Sequence, residues 1–258
     1  MDLIAFFRTN RAAFLLALQF LTRLRLPVDY SSEARRASPR WYPAAGVVVG
    51  LVAGAVYWGA ALLYGPVLAA IAATTAAIVV TGALHEDGLA DVCDGLGGHA
   101  SRERALEIMR DSRIGTYGAL GLGLVVATRV VALAALPGVA VPLVLIAGHT
   151  ASRASMLWVM ATSDYARDKG AATGVAGGVD RQAVMTALAT TGIALVPLLF
   201  VLSVSAIVAA LAGLVAGHFA LRQRFERRLG GYTGDCLGAV QQCSELGFYL
   251  GALALIRV

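Results

Sequence analysis

Long apolar runs, separated by short polar connectors, dominate the chain. Seven of these runs have the length of a membrane-spanning helix, which needs about 20 residues. They are residues 43–64, 66–84, 115–136, 139–160, 183–202, 205–221 and 237–256. An earlier run, residues 11–26, is interrupted by Gln19, Arg23 and Arg25 and predicts an amphipathic or half-inserted helix that ends at Pro27. The pattern therefore predicts an all-α, polytopic membrane helical bundle with about seven transmembrane helices.

Composition agrees with a membrane bundle. Hydrophobic residues make up 58% of the 258 positions and the mean hydropathy is +0.73, whereas soluble domains are about 45–50% apolar. The 29 glycines suit helices that pack closely in lipid. No shift in composition divides the chain, so we expect a single integral-membrane domain over residues 1–258.

The distribution of charge bears on partners and on orientation. The net charge of +5 comes from basic residues that flank the apolar runs. This argues against nucleic acid as a partner and for contacts with the lipid bilayer. The connectors at residues 85–114, 162–182 and 222–235 fall on the same side as the N-terminus, and that side holds nearly every Lys and Arg. The positive-inside rule makes it cytoplasmic.

An acidic stretch is the first candidate for chemistry. Four carboxylates fall within nine positions at residues 86–94, although only 14% of the chain is charged. On a helix, Asp87, Asp91 and Asp94 lie within an arc of about 60°, whereas Glu86 lies about 100° away. Like charges stacked in this way repel each other, and a hard ion such as Mg²⁺ between them relieves the repulsion. The alternative is a solvated acidic loop.

Two further polar clusters stand at the start of predicted spans. Arg110, Asp111 and Arg113 precede the run 115–136, where helix N–H groups and arginines suit a phosphate. The same residues also fit an ion pair in a belt at the membrane surface. Asp235 closes a glycine-rich stretch before the run 237–256 and is a candidate for completing a metal shell.

Ionisable side chains also occur inside the predicted spans, where burial is costly and often marks function. They are Arg129, His149, Arg153, His218 and Glu245. Arg153 is expected to bind a phosphate or a carboxylate, and Arg129 is a candidate structural partner of Glu245. His218 fits a satisfied packing residue. His85, beside the carboxylates, is a metal neighbour, a general base or a helix-start residue.

These groups are the components of phosphoryl transfer. In that chemistry the protein positions the reactants and neutralises developing charge, with Mg²⁺, arginines and helix N-termini as its means. A hydroxyl that attacks a diphosphate, with a nucleoside monophosphate as the leaving group, is the reaction they suggest.

Several motifs of the chain are similar to those of one enzyme family. The most specific run is 81–123, with HEDGLAD at 85–91 and RALEIMRDSRIG at 104–115. Other matching pieces are FLTR at 20–23, RWYP at 40–43 with Gly46 and Gly50, SR at 152–153, YAR at 165–167 and GYTGDCLGA at 231–239. Together they resemble the adenosylcobinamide-GDP ribazoletransferase, or cobalamin synthase, family over essentially the whole chain. The departure follows Arg167, where the chain has Asp168 in place of the family's proline.

The resemblance implies a multi-pass enzyme of the bacterial inner membrane that faces the cytoplasm and acts last in cobalamin nucleotide-loop assembly. It would join adenosylcobinamide-GDP to α-ribazole, or its 5′-phosphate, with Mg²⁺ as cofactor and GMP as product. The candidate catalytic residues are His85, Asp87 and Asp91, and the candidate phosphate ligands are Arg110, Arg113 and Arg153. The candidate metal ligands are Glu86, Asp87, Asp91, Asp94, Asp111 and Asp235. The oligomeric state, including a homo-oligomer, stays open.

Two alternative functions remain. A phospholipid synthase that uses a CDP-alcohol belongs to the same chemical class, but its D-G-x-x-A-R pattern has arginine where this chain has Asp91. That kinship is an analogy only. A cation transporter is the other alternative, although its acidic residues belong deep inside spans, and the aspartates of this chain lie at the edge of one.

Overall fold

The computed structural model describes residues 3–28, 30–166 and 179–256, and these residues form eleven α-helices and no β-strand. The helices are α1 (Leu3–Leu21), α2 (Ser32–Ala37), α3 (Tyr42–Ala61), α4 (Pro66–Thr81), α5 (Leu84–Gly97), α6 (Arg102–Ile108), α7 (Thr116–Ala135), α8 (Val141–Thr162), α9 (Arg181–Leu195), α10 (Val204–Leu229) and α11 (Gly234–Ala254). Short 3₁₀ helices at Ser38–Trp41 and Val196–Phe200 precede α3 and follow α9. The expected all-α class is confirmed.

The helix boundaries follow local sequence signals. Proline stands in the first turn of α3, α4 and α8, where its missing N–H costs no helical hydrogen bond. Ser101, Asp180, Ser203 and Thr233 each accept a hydrogen bond from a backbone N–H three residues later and so cap a helix. These signals explain why most of the predicted spans begin within a few residues of the observed helices.

The described residues contain five segments that are long and apolar enough to cross a membrane. They are Ser32–Ala61, Thr116–Ala135, Val141–Thr162, Arg181–Phe200 and Val204–Leu229. The bent pair α4–α5 raises the number to six if it counts as one span. A multi-pass membrane protein is therefore confirmed, but the expected number of seven spans is not. The remaining expected span is α11, whose buried middle contains Gln241, Gln242 and Glu245.

Two helices differ from their expected bounds. α1 begins at Leu3 and ends at Leu21, whereas residues 11–26 were expected, because apolar residues such as Phe6 continue its pattern toward the N-terminus. α10 continues to Leu229, so the basic residues expected in a connector at 222–235 lie on its last two turns. Basic side chains stabilise the C-terminal end of a helix, which favours this extension.

Glycines set the closest helix contacts in the bundle. Gly213 and Gly217 of α10 face α11, where Gly247 and Gly251 stand at the same four-residue spacing. A Cβ atom on Gly213 would lie 2.1 Å from the carbonyl oxygen of Gly247, so no larger residue fits. Such small-residue seams let backbones approach closely in lipid. A second seam joins α3 to α8 through Gly46, Gly50 and Gly54.

Parts of all three long connectors meet at one end of the bundle. Arg102 donates hydrogen bonds to the carbonyl oxygens of Leu229, at 2.8 Å, and Ala166, at 3.0 Å. Tyr165 and Tyr232 form an isolated bridge, in which the Ala166 N–H donates to the Tyr232 carbonyl at 2.8 Å. Of the expected connector 162–182, residues 167–178 lie outside the described residues, and so does the motif position Arg167.

Candidate active site

A sharp bend places the acidic stretch across the end of the bundle. Gly82 and Ala83, with φ of 67° and 60°, turn the chain by 90° between α4 and α5. Left-handed backbone is costly for a residue with a side chain, so Ala83 is held there by its surroundings. α5 is then amphipathic, with its apolar face inside the bundle and Asp87 exposed on the other face.

A cavity of about 130 Å³ lies at the start of α5, and we call it the aspartate cavity. It is lined by Phe20, Leu21, Tyr42, Leu84, His85, Asp87, Met156, Gly234, Asp235, Leu237 and Gly238. Asp87 and Asp235 are 148 positions apart in the sequence, yet both reach this cavity because α5 and α11 cross beside it. His85 is 2% exposed, and its Nε2 atom has no hydrogen-bond partner among the described residues.

Two glycines make the crossing of α5 and α11 close. A Cβ atom on Gly88 would lie 2.8 Å from the backbone oxygen of Asp235, and one on Gly238 would lie 3.1 Å from the Cα atom of His85. Thr233 caps α11, and its hydroxyl lies 3.3 Å from a carboxylate oxygen of Asp235. Backbone contact therefore sets how closely α5 and α11 approach each other beside Asp87 and Asp235.

The third aspartate of the predicted face has another partner. The carboxylate of Asp94 accepts hydrogen bonds from the backbone N–H groups of Gly115, at 2.7 Å, and Gly118, at 2.8 Å. It therefore occupies the N-terminus of α7, where the sequence suggests a phosphate. Asp91 lies one turn after Asp87 and is half-buried. The described residues hold no group of three acidic, His or Cys side chains arranged to bind a metal ion.

The donor set of the aspartate cavity fits Mg²⁺ all the same. This ion is usually bound through one or two carboxylates, keeps several waters and completes its shell with substrate phosphates. Asp87 and Asp235 supply two carboxylates at one cavity. A third protein ligand is not required for such a site.

Glu86 leaves α5 about 100° away from Asp87 and points into the bundle. It is 6% exposed, accepts a hydrogen bond from Gln242 at 3.0 Å, and lies 3.5 Å from the Arg129 guanidinium. Arg129 also lies 3.6 Å from Glu245, so the pair expected from the sequence is present. Sequence reasoning did not single out Gln242, because an amide in an apolar helix has no local pattern.

Arg153 is buried away from the other arginines of the candidate phosphate set. It is 1% exposed, and its guanidinium donates to the His149 carbonyl at 2.9 Å. Met156, three residues later, lines the aspartate cavity. Arg153 therefore lies behind this cavity, whereas Arg110 and Arg113 lie at the surface.

Arg110 and Arg113 belong to a second, polar pocket of about 650 Å³. Its walls are Asp94, Arg104, Glu107, Ile108, Arg110, Asp111, Arg113, Gly115, Thr116 and Tyr117. Asp111 pairs with Arg113 at 2.6 Å, and hydrogen bonds from Arg113 lower the pKa of Asp111 to about 2. Asp111 thus faces an arginine at the surface and not the aspartate cavity.

A serine and a histidine in contact invite comparison with a nucleophilic pair. Ser155 lies 2.7 Å from Nδ1 of His218, whose Nε2 lies 2.8 Å from Arg222. A guanidinium only donates hydrogen bonds, so Nε2 accepts and Nδ1 carries the proton. His218 therefore donates to Ser155 and cannot remove its proton. The expectation that His218 is a satisfied packing residue agrees with these contacts.

The fold and the cavity define a class first: a multi-pass α-helical membrane protein with an acidic cavity at one end of its bundle. The family model for cobalamin-5-phosphate synthase matches residues 13–253. The chain belongs to this family and is a transferase of cobalamin biosynthesis.

Curated relatives carry one name, adenosylcobinamide-GDP ribazoletransferase. The protein from Leptothrix cholodnii is 44% identical over 252 residues, which cover 93% of this chain and 94% of the relative. The one from Shewanella amazonensis is 37% identical, with coverage of 96% and 97%. The one from Vibrio cholerae is 35% identical, with coverage of 98% and 97%. No solved structure matches the chain.

Proposed function

We propose that this chain joins adenosylcobinamide-GDP to α-ribazole, or to its 5′-phosphate, and releases GMP as the last step of nucleotide-loop assembly. Family membership and the relatives' name support the reaction. The observation that carries the proposal is the meeting of Asp87 and Asp235, from two helices, at one cavity at the end of the bundle.

Asp87 and Asp235 are the proposed Mg²⁺ ligands, and Asp91, one turn further along α5, adds negative charge beside them. When bound, Mg²⁺ neutralises charge on the diphosphate and on the leaving phosphate. Glu86 and Asp94 are left out of this set because each has protein partners elsewhere. Asp111 is left out because Arg113 holds it at the surface.

The reaction itself is an exchange at phosphorus. A ribazole hydroxyl oxygen forms the new P–O bond to the phosphorus on the cobinamide side, and the bond from that phosphorus to the GMP oxygen breaks. GMP leaves with the bond's electron pair. His85 is the proposed acceptor of the hydroxyl proton, since it lines the cavity and its buried Nε2 atom has no hydrogen-bond partner among the described residues.

The arginines have two proposed roles. Arg110 and Arg113 line the polar pocket about 10 Å further along α5, at 1.5 Å per residue from Asp87 to Asp94. This pocket suits the phosphate-bearing part of a substrate too large for the aspartate cavity. Arg153 supplies positive charge from behind the cavity.

We place the protein in the bacterial inner membrane with the aspartate cavity toward the cytoplasm. Basic residues such as Arg102 of α6 and Arg228 at the end of α10 contact the connectors at that end of the bundle, and the positive-inside rule retains such residues in the cytoplasm. The soluble substrates are then on the same side as the cavity.

Purified protein in nanodiscs, incubated with adenosylcobinamide-GDP, α-ribazole and Mg²⁺, is expected to release GMP and form the corrinoid product. Asp87→Asn, Asp91→Asn and Asp235→Asn should each lower the rate by roughly 100-fold or more, because each removes a charge from the metal site. Glu103→Gln, at an exposed acid on α6, is the matched control. Release of CMP from a CDP-alcohol without any GMP, or cation flux without conversion, would contradict the proposal.

A further inference from the structure

Arg129 lies between α5 and α11, the two helices that carry the aspartates of the aspartate cavity. The side chain comes from the middle of α7 and is 2% exposed. One guanidinium nitrogen is 3.5 Å from Glu86 of α5, and Nε is 3.6 Å from Glu245 of α11. Gln242 of α11 accepts a hydrogen bond from Arg129 and donates one to Glu86. One cation thus bridges carboxylates on α5 and α11.

The bridge is anchored to a third helix. His149 of α8 donates from Nδ1 to Glu245 at 2.7 Å, and Gln241 donates to the same carboxylate at 2.6 Å. Gln241 also donates to Ser152 of α8 at 3.0 Å. The Glu245 end of the bridge is therefore held firmly, and Arg129 links it to Glu86 of α5.

The position of Glu86 makes the bridge relevant to the cavity. Residues 86 and 87 are adjacent, so their side chains leave the α5 axis about 100° apart. When Arg129 and Gln242 hold Glu86 inside the bundle, the rotation of α5 is fixed and Asp87 is turned toward the cavity. Glu245 lies on α11, the helix that also carries Asp235, so the bridge positions Asp235 as well.

We infer that Arg129 is a positioning residue, which clamps α5 to α11 so that Asp87 and Asp235 share one divalent cation. Glu86, a candidate metal ligand by sequence, belongs to this clamp. The inference rests on the proposed function, which includes the metal site. It adds the residue that holds the two proposed ligands, Asp87 and Asp235, in position relative to each other. Arg129 is not among the residues that line the aspartate cavity.

The test uses the full chain in nanodiscs, with Mn²⁺ alone as the probe of the metal site. Arg129→Gln and Glu86→Gln are each expected to raise the dissociation constant for Mn²⁺, measured by electron paramagnetic resonance, about tenfold. The Mg²⁺ concentration for half-maximal GMP release should rise in parallel. Because both changes open one clamp, the double variant should lose little more than either single variant. Arg129→Lys, which keeps the charge, should recover part of the affinity.

Arg222→Gln is the matched control. Arg222 is also buried, at 7% exposure, but its contacts are Thr162 of α8 and His218 and Glu226 of α10. It should leave the Mn²⁺ affinity at the wild-type value. Thermal unfolding of every variant separates loss of the fold from loss of the clamp. Where Arg129→Gln fails to fold, the double variant reports instead, because Glu86 is then neutral and Glu245 keeps His149 and Gln241 as partners.

Two outcomes overturn the clamp. A folded Arg129→Gln chain with wild-type Mn²⁺ affinity shows that the bridge does not position the aspartates. A loss of affinity in Glu86→Gln that is absent from Arg129→Gln makes Glu86 a ligand itself. Both are distinct from failure of the proposed function, in which the wild-type chain itself releases no GMP.

Discussion

Adjacent side chains at the start of α5 meet opposite environments. Glu86 faces a cation inside the bundle, and Asp87 faces a cavity at its end. The angle between them follows from helix geometry alone, so the sequence predicts that the two side chains point in different directions. What each side chain then meets depends on residues as distant as Gln242, and no local pattern carries that information.

Asp94 provides a prediction at the scale of one side chain. Asp94→Ala should lower the free energy of unfolding by about 1 kcal/mol, the usual cost of a lost helix cap, because two N–H groups of α7 lose their acceptor. Asp94→Asn, which keeps one acceptor oxygen, should lose less. Chemical unfolding in detergent measures both.

The same two variants separate the cap from a metal ligand. If Asp94 serves only α7, both bind Mn²⁺ as the wild-type chain does. A large fall in Mn²⁺ affinity for Asp94→Asn would return this residue to the metal set that the sequence suggests.

Between helices, the crossing of α5 and α11 governs the site. Gly88→Ala brings a Cβ atom to within 2.8 Å of the Asp235 carbonyl and 3.0 Å of its Cα, and backbone on both sides leaves little room to adjust. Such overpacking costs about 1–3 kcal/mol. We expect lower thermal stability and at least a tenfold fall in GMP release, as Asp235 moves from Asp87.

Gly123→Ala on α7 is the control for this variant. Nothing lies within 4 Å of a Cβ atom at Gly123, and alanine is the better helix former. This variant should keep its activity and be as stable as the wild type or slightly more so. Equal activity in Gly88→Ala and Gly123→Ala would contradict the close crossing.

The bend between α4 and α5 yields a prediction of the opposite sign. Ala83 adopts φ of 60°, which glycine tolerates without the steric cost paid by alanine. Ala83→Gly should therefore raise stability by up to about 1 kcal/mol, less the entropy that glycine loses on folding. A lower unfolding midpoint for Ala83→Gly would show that the flanking helices, and not this residue, bear the strain.

Elements with a clear local signal were predictable. Prolines and capping side chains mark the starts of α3, α4, α6 and α8 in the sequence as in the structure. The length of α10 was not predictable from the sequence. Basic residues usually mark the end of a span, but in this chain they continue the helix and donate to a distant connector, as Arg228 does to the Ala100 carbonyl at 2.6 Å. Such contacts between distant segments have no signature in either segment alone.

For the molecule as a whole, orientation is the testable property. Glu103→Cys, on α6 beside the connectors, should react with a membrane-impermeant maleimide only from the cytoplasmic side. Val139→Cys, 64% exposed at the other end of the bundle, should react only from outside. Labelling of intact cells and of inverted vesicles, with the wild-type chain as background, decides between the two possible orientations in the membrane. The reverse pattern would contradict the cytoplasmic placement of the aspartate cavity.

The general form of the candidate site was predictable, and its membership was only partly so. Spacing on a helix grouped Asp87, Asp91 and Asp94, and family motifs pointed to Asp235. The structure shows protein partners for Glu86, Asp94 and Asp111. Neither spacing nor charge predicts those partners, because they come from distant helices or from a local ion pair.

The contribution of α11 bears on how the protein is made. Arg129 leaves the ribosome 116 residues before Glu245, and Gln242 is nearly as late. Until α11 inserts, an arginine inside the bilayer lacks two of its three partners, which costs at least about 2.5 kcal/mol. The partly synthesised chain therefore contains an arginine that is only partly paired, and the arrival of α11, the last helix that the structure describes, completes the pairing.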